Sequence, residues 1–154
     1  MRMRAAAVPL VLVALAAGAL AIGGGAGVAT AAARLTLDGK PFSPELALTG
    51  AARGAGLMHR VPAPKDGMLF VFPRPTASAF WMKDTDVPLA ITFFDAAGRR
   101  VAGFSMKPCL RDPCRIYSPG HVYRFALEMR VSDRRPAKRL GPVSELRRLV
   151  KRSS

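Results

Sequence analysis

Short stretches of alternating hydrophobic and polar residues make up most of the chain after residue 33. The clearest alternation runs from residue 123 to residue 131, where every second side chain is apolar. A period of two is typical of a strand with one face in the core. We therefore predict a half-buried strand here. Its apolar face comprises Tyr123, Phe125, Leu127, Met129 and Val131, and its polar face comprises Arg124, Glu128 and Arg130.

Other stretches predict further strands, separated by turn residues. The continuous apolar run at residues 68–72 favours a strand covered on both faces. Proline- or glycine-containing segments at 38–41, 73–76 and 95–98 read as turns. The remaining strands are expected at residues 35–37, 45–48, 79–83, 88–94 and 99–106. Many short strands predict a mainly β domain, a small antiparallel sandwich or barrel-like fold.

Two short helices are also predicted. Thr49 suits the N-cap of a helix over residues 50–58. Near the C-terminus, Pro142 is followed by apolar residues at helical spacing, with acidic charge early and basic charge late. That arrangement favours an amphipathic helix. Because the first helix contains several glycines, we expect it to depend on packing through Leu57 and Met58.

The first 33 residues resemble a targeting segment rather than part of the fold. Arg2 and Arg4 precede an uncharged apolar run that ends in small residues between Ala29 and Ala33. This layout predicts a secretory signal peptide, and the alternative is an uncleaved N-terminal anchor. We therefore expect an exported protein, either extracellular or associated with the cell envelope. Residues 34–131 would form the β-rich domain and residues 132–154 a basic tail with a short helix.

The charge of the chain indicates which partners it would attract. Without the two N-terminal arginines, 22 basic side chains face 10 acidic ones, and nine of the 22 lie between Arg130 and Arg152. Such a charge attracts anionic surfaces. For an exported protein we expect an anionic cell-wall polymer, a glycan or a lipid headgroup rather than nucleic acid, whose binding motifs are missing. The alternative is that arginine-rich composition alone produces the charge. We expect a monomer.

The two cysteines, Cys109 and Cys114, lie in a proline-bounded segment. In an exported protein this pair favours a disulfide. A tetrahedral zinc site would also need His59 and His121, which lie far apart in sequence. We therefore predict a disulfide, and neither a metal nor another cofactor.

The segment between residues 56 and 89 supplies the candidate binding residues. Strand alternation places Trp81 and Lys83 on one face, where they could stack on a ligand and meet its charge. Arg60 suits recognition of a carboxylate or phosphate. Asp84 and Thr85 would fix the turn that presents these side chains. The alternatives are ordinary turn chemistry for Asp84 and Thr85, and for Arg60 an ion pair with Asp84 or Glu128.

Signatures of catalysis are weak. The chain has no nucleophile elbow, zinc-protease motif or phosphate-binding loop. The remaining candidates for acid–base chemistry are His59, Asp84 and Asp86, which would make a small hydrolase if the imidazole and a carboxylate met in a cleft.

An ordered set of motifs gives the sequence a family resemblance. The motifs are Gly56-Leu57-Met58-x-Arg60, Gly67-Met68-Leu69-Phe70-x-Phe72, Trp81-Met82-Lys83-x-Thr85, Pro88-Leu89, Pro108-Cys109, Cys114-x-x-Tyr117 and Leu127-Glu128. Together they resemble domain-of-unknown-function family 192. The resemblance implies a small, β-rich, often exported domain without an established reaction. Asp84 stands where the family usually has asparagine, and Ala90 where it usually has aspartate.

The hypothesis that best fits these patterns is a non-catalytic extracytoplasmic module. It would bind an anionic or glycan ligand through Arg60, Trp81, Lys83, Asp84 and Thr85, whose polar tips should share one pocket. The hydrolase is one alternative. The other is an envelope-associated protein held in place by its basic tail.

Overall fold

The fold is known from a computed structural model that describes residues 33–154. The predicted signal peptide or anchor therefore lies outside the described residues, apart from Ala33. Within residues 33–154, no helix has the length and apolar character needed to cross a membrane.

The described chain is mainly β, as predicted, with two α-helices and a 3-10 helix at Val131–Asp133. The β-strands do not close into a barrel. The elements are β1 (Leu35–Leu37), β2 (Lys40–Phe42), β3 (Glu45–Ala47), α1 (Gly50–Ala55), β4 (Met68–Thr76), β5 (Phe80–Trp81), β6 (Leu89–Phe94), β7 (Arg100–Met106), β8 (Ile116–Tyr117), β9 (Tyr123–Arg130), β10 (Leu140–Gly141) and α2 (Val143–Arg152).

A five-stranded sheet, in the order β3-β4-β9-β6-β7, organises the domain. Strand β9 lies at its centre and pairs antiparallel with both β4 and β6. The edge strand β3 pairs parallel with β4, so the sheet is mixed. Two smaller sheets, β10-β1-β2 and β5-β8, accompany it.

Both faces of the central sheet are covered, which divides the buried side chains into two clusters. On one face, Leu127 of β9 packs in a cluster that includes β1 and α2. On the other face, Ala126 packs in a cluster that includes Leu57 and Met82. The prediction that β9 is half-buried is therefore wrong: Glu128 is only 4% exposed. The chain that covers the second face comes from distant segments, which strand alternation does not reveal.

Several local boundaries also differ from prediction. Thr49 does cap α1, accepting a hydrogen bond from the Ala52 N–H at 3.1 Å. However, α1 ends at residue 55, because Gly56 leaves the helical conformation at φ +49°. The expected turn at residues 73–76 is instead the end of β4, where the pairing with β9 shifts register between Val71 and Thr76. Pro73 and Pro75 lie in this irregular part of β4, where a strand tolerates proline because no regular ladder hydrogen bond is lost.

The C-terminal segment contributes to the core. Strand β10 pairs with β1, and Leu146 and Leu149 of α2 are fully buried. The Ser154 N–H also donates to the Leu48 carbonyl at 3.0 Å. Residues 132–154 thus combine an exposed basic surface with structural contacts, so their removal would expose apolar surface as well as remove charge.

Gly67 marks a close approach of the chain to β9. It has φ +73°, and a β-carbon there would lie 1.9 Å from the backbone oxygen of Glu128. Gly120 has a similar φ of +69°, but a β-carbon there would meet nothing within 4 Å. Substituting Gly120 therefore measures the free-energy cost of a left-handed backbone alone. Substituting Gly67 measures that cost plus the cost of a steric clash with β9.

We predict that Gly67→Ala destabilises the fold more than Gly120→Ala. Both substitutions should cost about 1 kcal/mol for the left-handed backbone. Gly67→Ala should add at least about 2 kcal/mol, because backbone must move to accept the methyl group. Denaturant unfolding of the two variants measures the difference. Equal losses would mean that the approach of Gly67 to β9 is not tight.

Candidate functional site

A small cavity beside β9, here named the Glu128 pocket, gathers residues from four parts of the chain. It is bounded by the end of α1 and the following loop, by β4, by β5 and the segment after it, and by β9. The lining residues used below are Leu57, Phe70, Phe80, Trp81, Thr85 and Glu128. Its volume of about 40 Å³ corresponds to roughly three water molecules.

Glu128 is the buried acidic group of this pocket. No salt bridge joins it to any residue in the part of the chain that the structure describes, 33–154. Burial raises the pKa of its carboxyl group to about 8. A buried carboxyl without a charged partner is costly to ionise. Glu128 is therefore protonated in most molecules at pH 7 and ready to ionise slightly above it.

Aromatic side chains form one wall of the pocket. The rings of Phe70 and Phe80 meet edge to face, with their centroids 5.1 Å apart. Trp81 also lines the pocket and remains 47% exposed. Because Trp81 is both exposed and part of the lining, it places an aromatic surface where a ligand would enter.

A series of backbone hydrogen bonds holds the loops around the pocket. The His59 N–H donates to the Asp84 carbonyl at 2.8 Å, and the Asp84 N–H donates to the Cys109 carbonyl at 3.0 Å. His59 and Asp84 both have positive φ, of 58° and 51°. The disulfide joins Cys109 to Cys114, as predicted. The loop after α1, the segment after β5 and the disulfide loop are thereby tied together.

Thr85 has a structural bond as well as a place in the pocket. It is 4% exposed, and its hydroxyl donates to the Lys83 carbonyl at 3.1 Å. Its N–H donates to the Met82 carbonyl at 3.1 Å. These local hydrogen bonds match the alternative given in the sequence analysis, in which Thr85 stabilises a turn.

The structure does not bring the predicted polar tips together. Arg60 pairs with Glu45 at 2.7 Å, rather than with Asp84 or Glu128, and hydrogen bonding to Glu45 raises the Arg60 pKa. Lys83 pairs with Asp112, and hydrogen bonding to Asp112 raises the Lys83 pKa. The Lys83 Nζ also lies 5.9 Å from the centre of the Trp81 ring. Of the predicted binding residues, only Trp81 and Thr85 line the Glu128 pocket.

The candidates for acid–base chemistry lie near one another, but their side chains are not joined. His59 and Asp86 are exposed. The bond between His59 and Asp84 involves only backbone atoms. Within residues 33–154, no group of three or more His, Cys, Asp or Glu side chains is placed to hold a metal ion.

The sequence patterns do not single out Glu128, Phe70 and Phe80 as site residues. The patterns predict that Phe70 and Phe80 are ordinary core residues and that Glu128 lies on the polar face of β9. One signal was available. A glutamate between Leu127 and Met129, within a family motif, departs from the apolar character of its neighbours.

Comparisons with known proteins place the chain in a known group. The family model DUF192, described as "Uncharacterized ACR", matches residues 33–134. A crystal structure of a candidate transcription regulator from Sinorhizobium meliloti 1021 is 26% identical, with a TM-score of 0.60, covering 70% of this chain and 89% of that one. A protein of unknown function from Novosphingobium aromaticivorans DSM 12444 is 25% identical, with a TM-score of 0.57, covering 66% and 76%. No curated protein matches the chain.

We predict that Glu128 makes stability fall with rising pH. Burial raises its pKa from an ordinary value of 4.5 to about 8, so the folded state binds more protons than the unfolded state between those values. Unfolding free energy should then decrease by up to about 1.4 kcal/mol per pH unit across this range and level off above it. Denaturant unfolding from pH 5 to pH 9 measures the slope.

The isosteric variant Glu128→Gln is the control for this slope. It should lose the decrease, because its amide does not titrate, while exposed His59 and His121 remain in both proteins. An identical slope in the variant would assign the pH dependence to other groups.

Proposed function

The chain belongs to the DUF192 family of uncharacterised proteins, and we propose that it is a non-catalytic binding module whose Glu128 pocket receives the cationic end of a small organic molecule. The observation that carries the proposal is the buried side chain of Glu128, only 4% exposed and without a charged partner among residues 33–154, in the lining of a small aromatic pocket.

Electrostatics favour a cation as the occupant. Burial is the cause of the raised pKa of Glu128, and no residue among 33–154 forms a salt bridge with its carboxylate. Arg53 contributes to the pocket lining, but its guanidinium donates to the carbonyls of Leu48, Val71 and Ser154 at 2.7 to 2.9 Å. A bound ammonium group would supply the missing positive charge.

The aromatic wall supports the same ligand class. The faces of Trp and Phe rings attract cations by about 0.5–1 kcal/mol when exposed, and more in a desolvated site. Phe70, Phe80 and Trp81 all line the pocket with Glu128. A carboxylate flanked by aromatic rings combines charge recognition with cation–π attraction.

The size of the pocket limits what enters it. About 40 Å³ suits an ammonium or methylammonium group but not a whole ligand. The rest of the molecule would lie outside, over the exposed ring of Trp81. The proposal therefore retains Trp81 and Thr85 from the predicted binding set and adds Phe70, Phe80 and Glu128. It replaces the expected anionic or glycan ligand, because Arg60 and Lys83 lie in ion pairs outside the pocket lining.

The place of action in this proposal is outside the cytoplasm. Its support is the basic, apolar and small-residue order of the N-terminal sequence. The disulfide between Cys109 and Cys114 suits an oxidising compartment.

We predict that n-butylammonium binds with an affinity that rises with pH. Binding the cation requires Glu128 to release its proton, so the association constant should increase about tenfold per unit from pH 6 until it levels off near pH 8. The probe stays charged over this range, as a lysine side chain does. Titration followed by NMR chemical shifts, at millimolar probe, measures the constant.

Two variants and a neutral probe make this experiment selective. Glu128→Gln should remove both the binding and its pH dependence, whereas Glu45→Gln, which removes an exposed carboxylate, should retain both. Uncharged 1-butanol should bind at least about tenfold more weakly than the cation at pH 8. Affinity that falls with pH would contradict the proposal and indicate a ligand that accepts a hydrogen bond from protonated Glu128.

A further inference from the structure

A larger groove lies on the other side of the central sheet, against the face covered by α2. Its volume is about 470 Å³, within the range of small-molecule sites. It is bounded by α2, by the turn between β6 and β7, and by β9. It shares none of its lining residues with the Glu128 pocket.

The floor of this groove, here named the α2 groove, is apolar. Val143, Leu146 and Val150 of α2 face Phe125 of β9 and the alanines of the turn. The three α2 residues recur at intervals of three and four, so they lie along one face of the helix. An apolar floor of this size suits a hydrocarbon chain.

The rim of the α2 groove is positively charged. It carries Arg124 of β9 together with Arg147 and Lys151 of α2. Neither Arg147 nor Lys151 forms a salt bridge within residues 33–154. Being four residues apart, they project from the same side of the helix.

Arg124 has an unmet hydrogen-bond donor. One terminal nitrogen of its guanidinium donates to the Pro73 carbonyl at 2.6 Å. Its Nε is buried and has no partner among the described residues. Leaving a buried donor of a charged group unpaired is unfavourable, and a carboxylate is its best partner.

Acidic residues close to the groove are already paired. Asp95, at the start of the turn, bonds the side chain of Arg99 at 2.8 Å. Glu145 of α2 forms an ion pair with Arg148, although its Oε2 has no partner in hydrogen-bond geometry among the described residues. These two carboxylates therefore do not neutralise Arg147 or Lys151, which can interact with an anionic ligand.

We propose that the α2 groove binds a single-chain anionic amphiphile of the fatty-acid type. The hydrocarbon chain would lie against the partly exposed side chains of Val143 and Val150, and the carboxylate would meet Arg124, Arg147 and Lys151. Charge complementarity selects this occupant over a neutral or cationic amphiphile. The concave shape favours a monomeric ligand over the flat surface of a bilayer. This site is independent of the Glu128 pocket.

The experiment measures binding of monomeric dodecanoate to the full chain by isothermal titration calorimetry. Arg147→Gln/Lys151→Gln should weaken binding at least about tenfold, since two charge-assisted contacts are lost. The matched control, Lys65→Gln/Arg152→Gln, removes two exposed cations outside the groove lining and should bind within about twofold of the parent. Dodecyltrimethylammonium, with the same chain and opposite charge, should bind at least about tenfold more weakly than dodecanoate.

Three results would overturn the proposal. If both double variants weakened dodecanoate binding equally, the overall positive charge of the protein, and not the groove, would be responsible for binding. Equal affinity for the cationic amphiphile would assign it to apolar contact alone. Binding to vesicles containing anionic phospholipid, without binding to monomeric dodecanoate, would identify a membrane surface instead. Because the variants alter exposed side chains, retained melting temperatures should show that each protein is folded.

Discussion

The covering of β9 on both faces is the constraint on which the other features depend. A central strand with apolar clusters on either side leaves Arg124 and Arg130 partly exposed near its ends, but it leaves no solvent face at Glu128. Glu128 is therefore buried with the residues around it. An ionised carboxyl group is much less stable in this buried, unpaired position than in water. The Glu128 carboxyl group is therefore largely protonated at neutral pH.

The same constraint explains how distant loops meet at one pocket. Gly67 lets the chain approach the backbone of Glu128, where any β-carbon would collide. Backbone hydrogen bonds also link His59 to Asp84 and Asp84 to Cys109. These contacts use main-chain atoms, so they fix the loop positions while leaving the side chains of Phe80 and Trp81 available to line the cavity.

Local patterns predicted the elements of the fold better than its site. Strand periodicity, the Thr49 cap and the Asp95–Gly98 turn depend on neighbours in sequence, and each is present in the fold. Two features depend on distant partners and could not be read this way. Glu128 alternates with apolar residues as a surface residue would, and only the segments that cover it make it buried. Arg60 pairs with Glu45, a partner that no local pattern indicates.

The two sides of the sheet also differ in electrostatics, and the difference bears on how each could bind a ligand. With a formal net charge of +14, the long-range field of the protein opposes the approach of a cation. The Glu128 pocket would have to overcome that field at short range, where a desolvated carboxylate and aromatic rings act most strongly. The α2 groove would instead gain from it, since an anionic head is attracted before any apolar contact forms. A basic exterior and a buried acid are thus compatible, because charge at the surface acts over distance and a buried charge acts only on what enters its pocket.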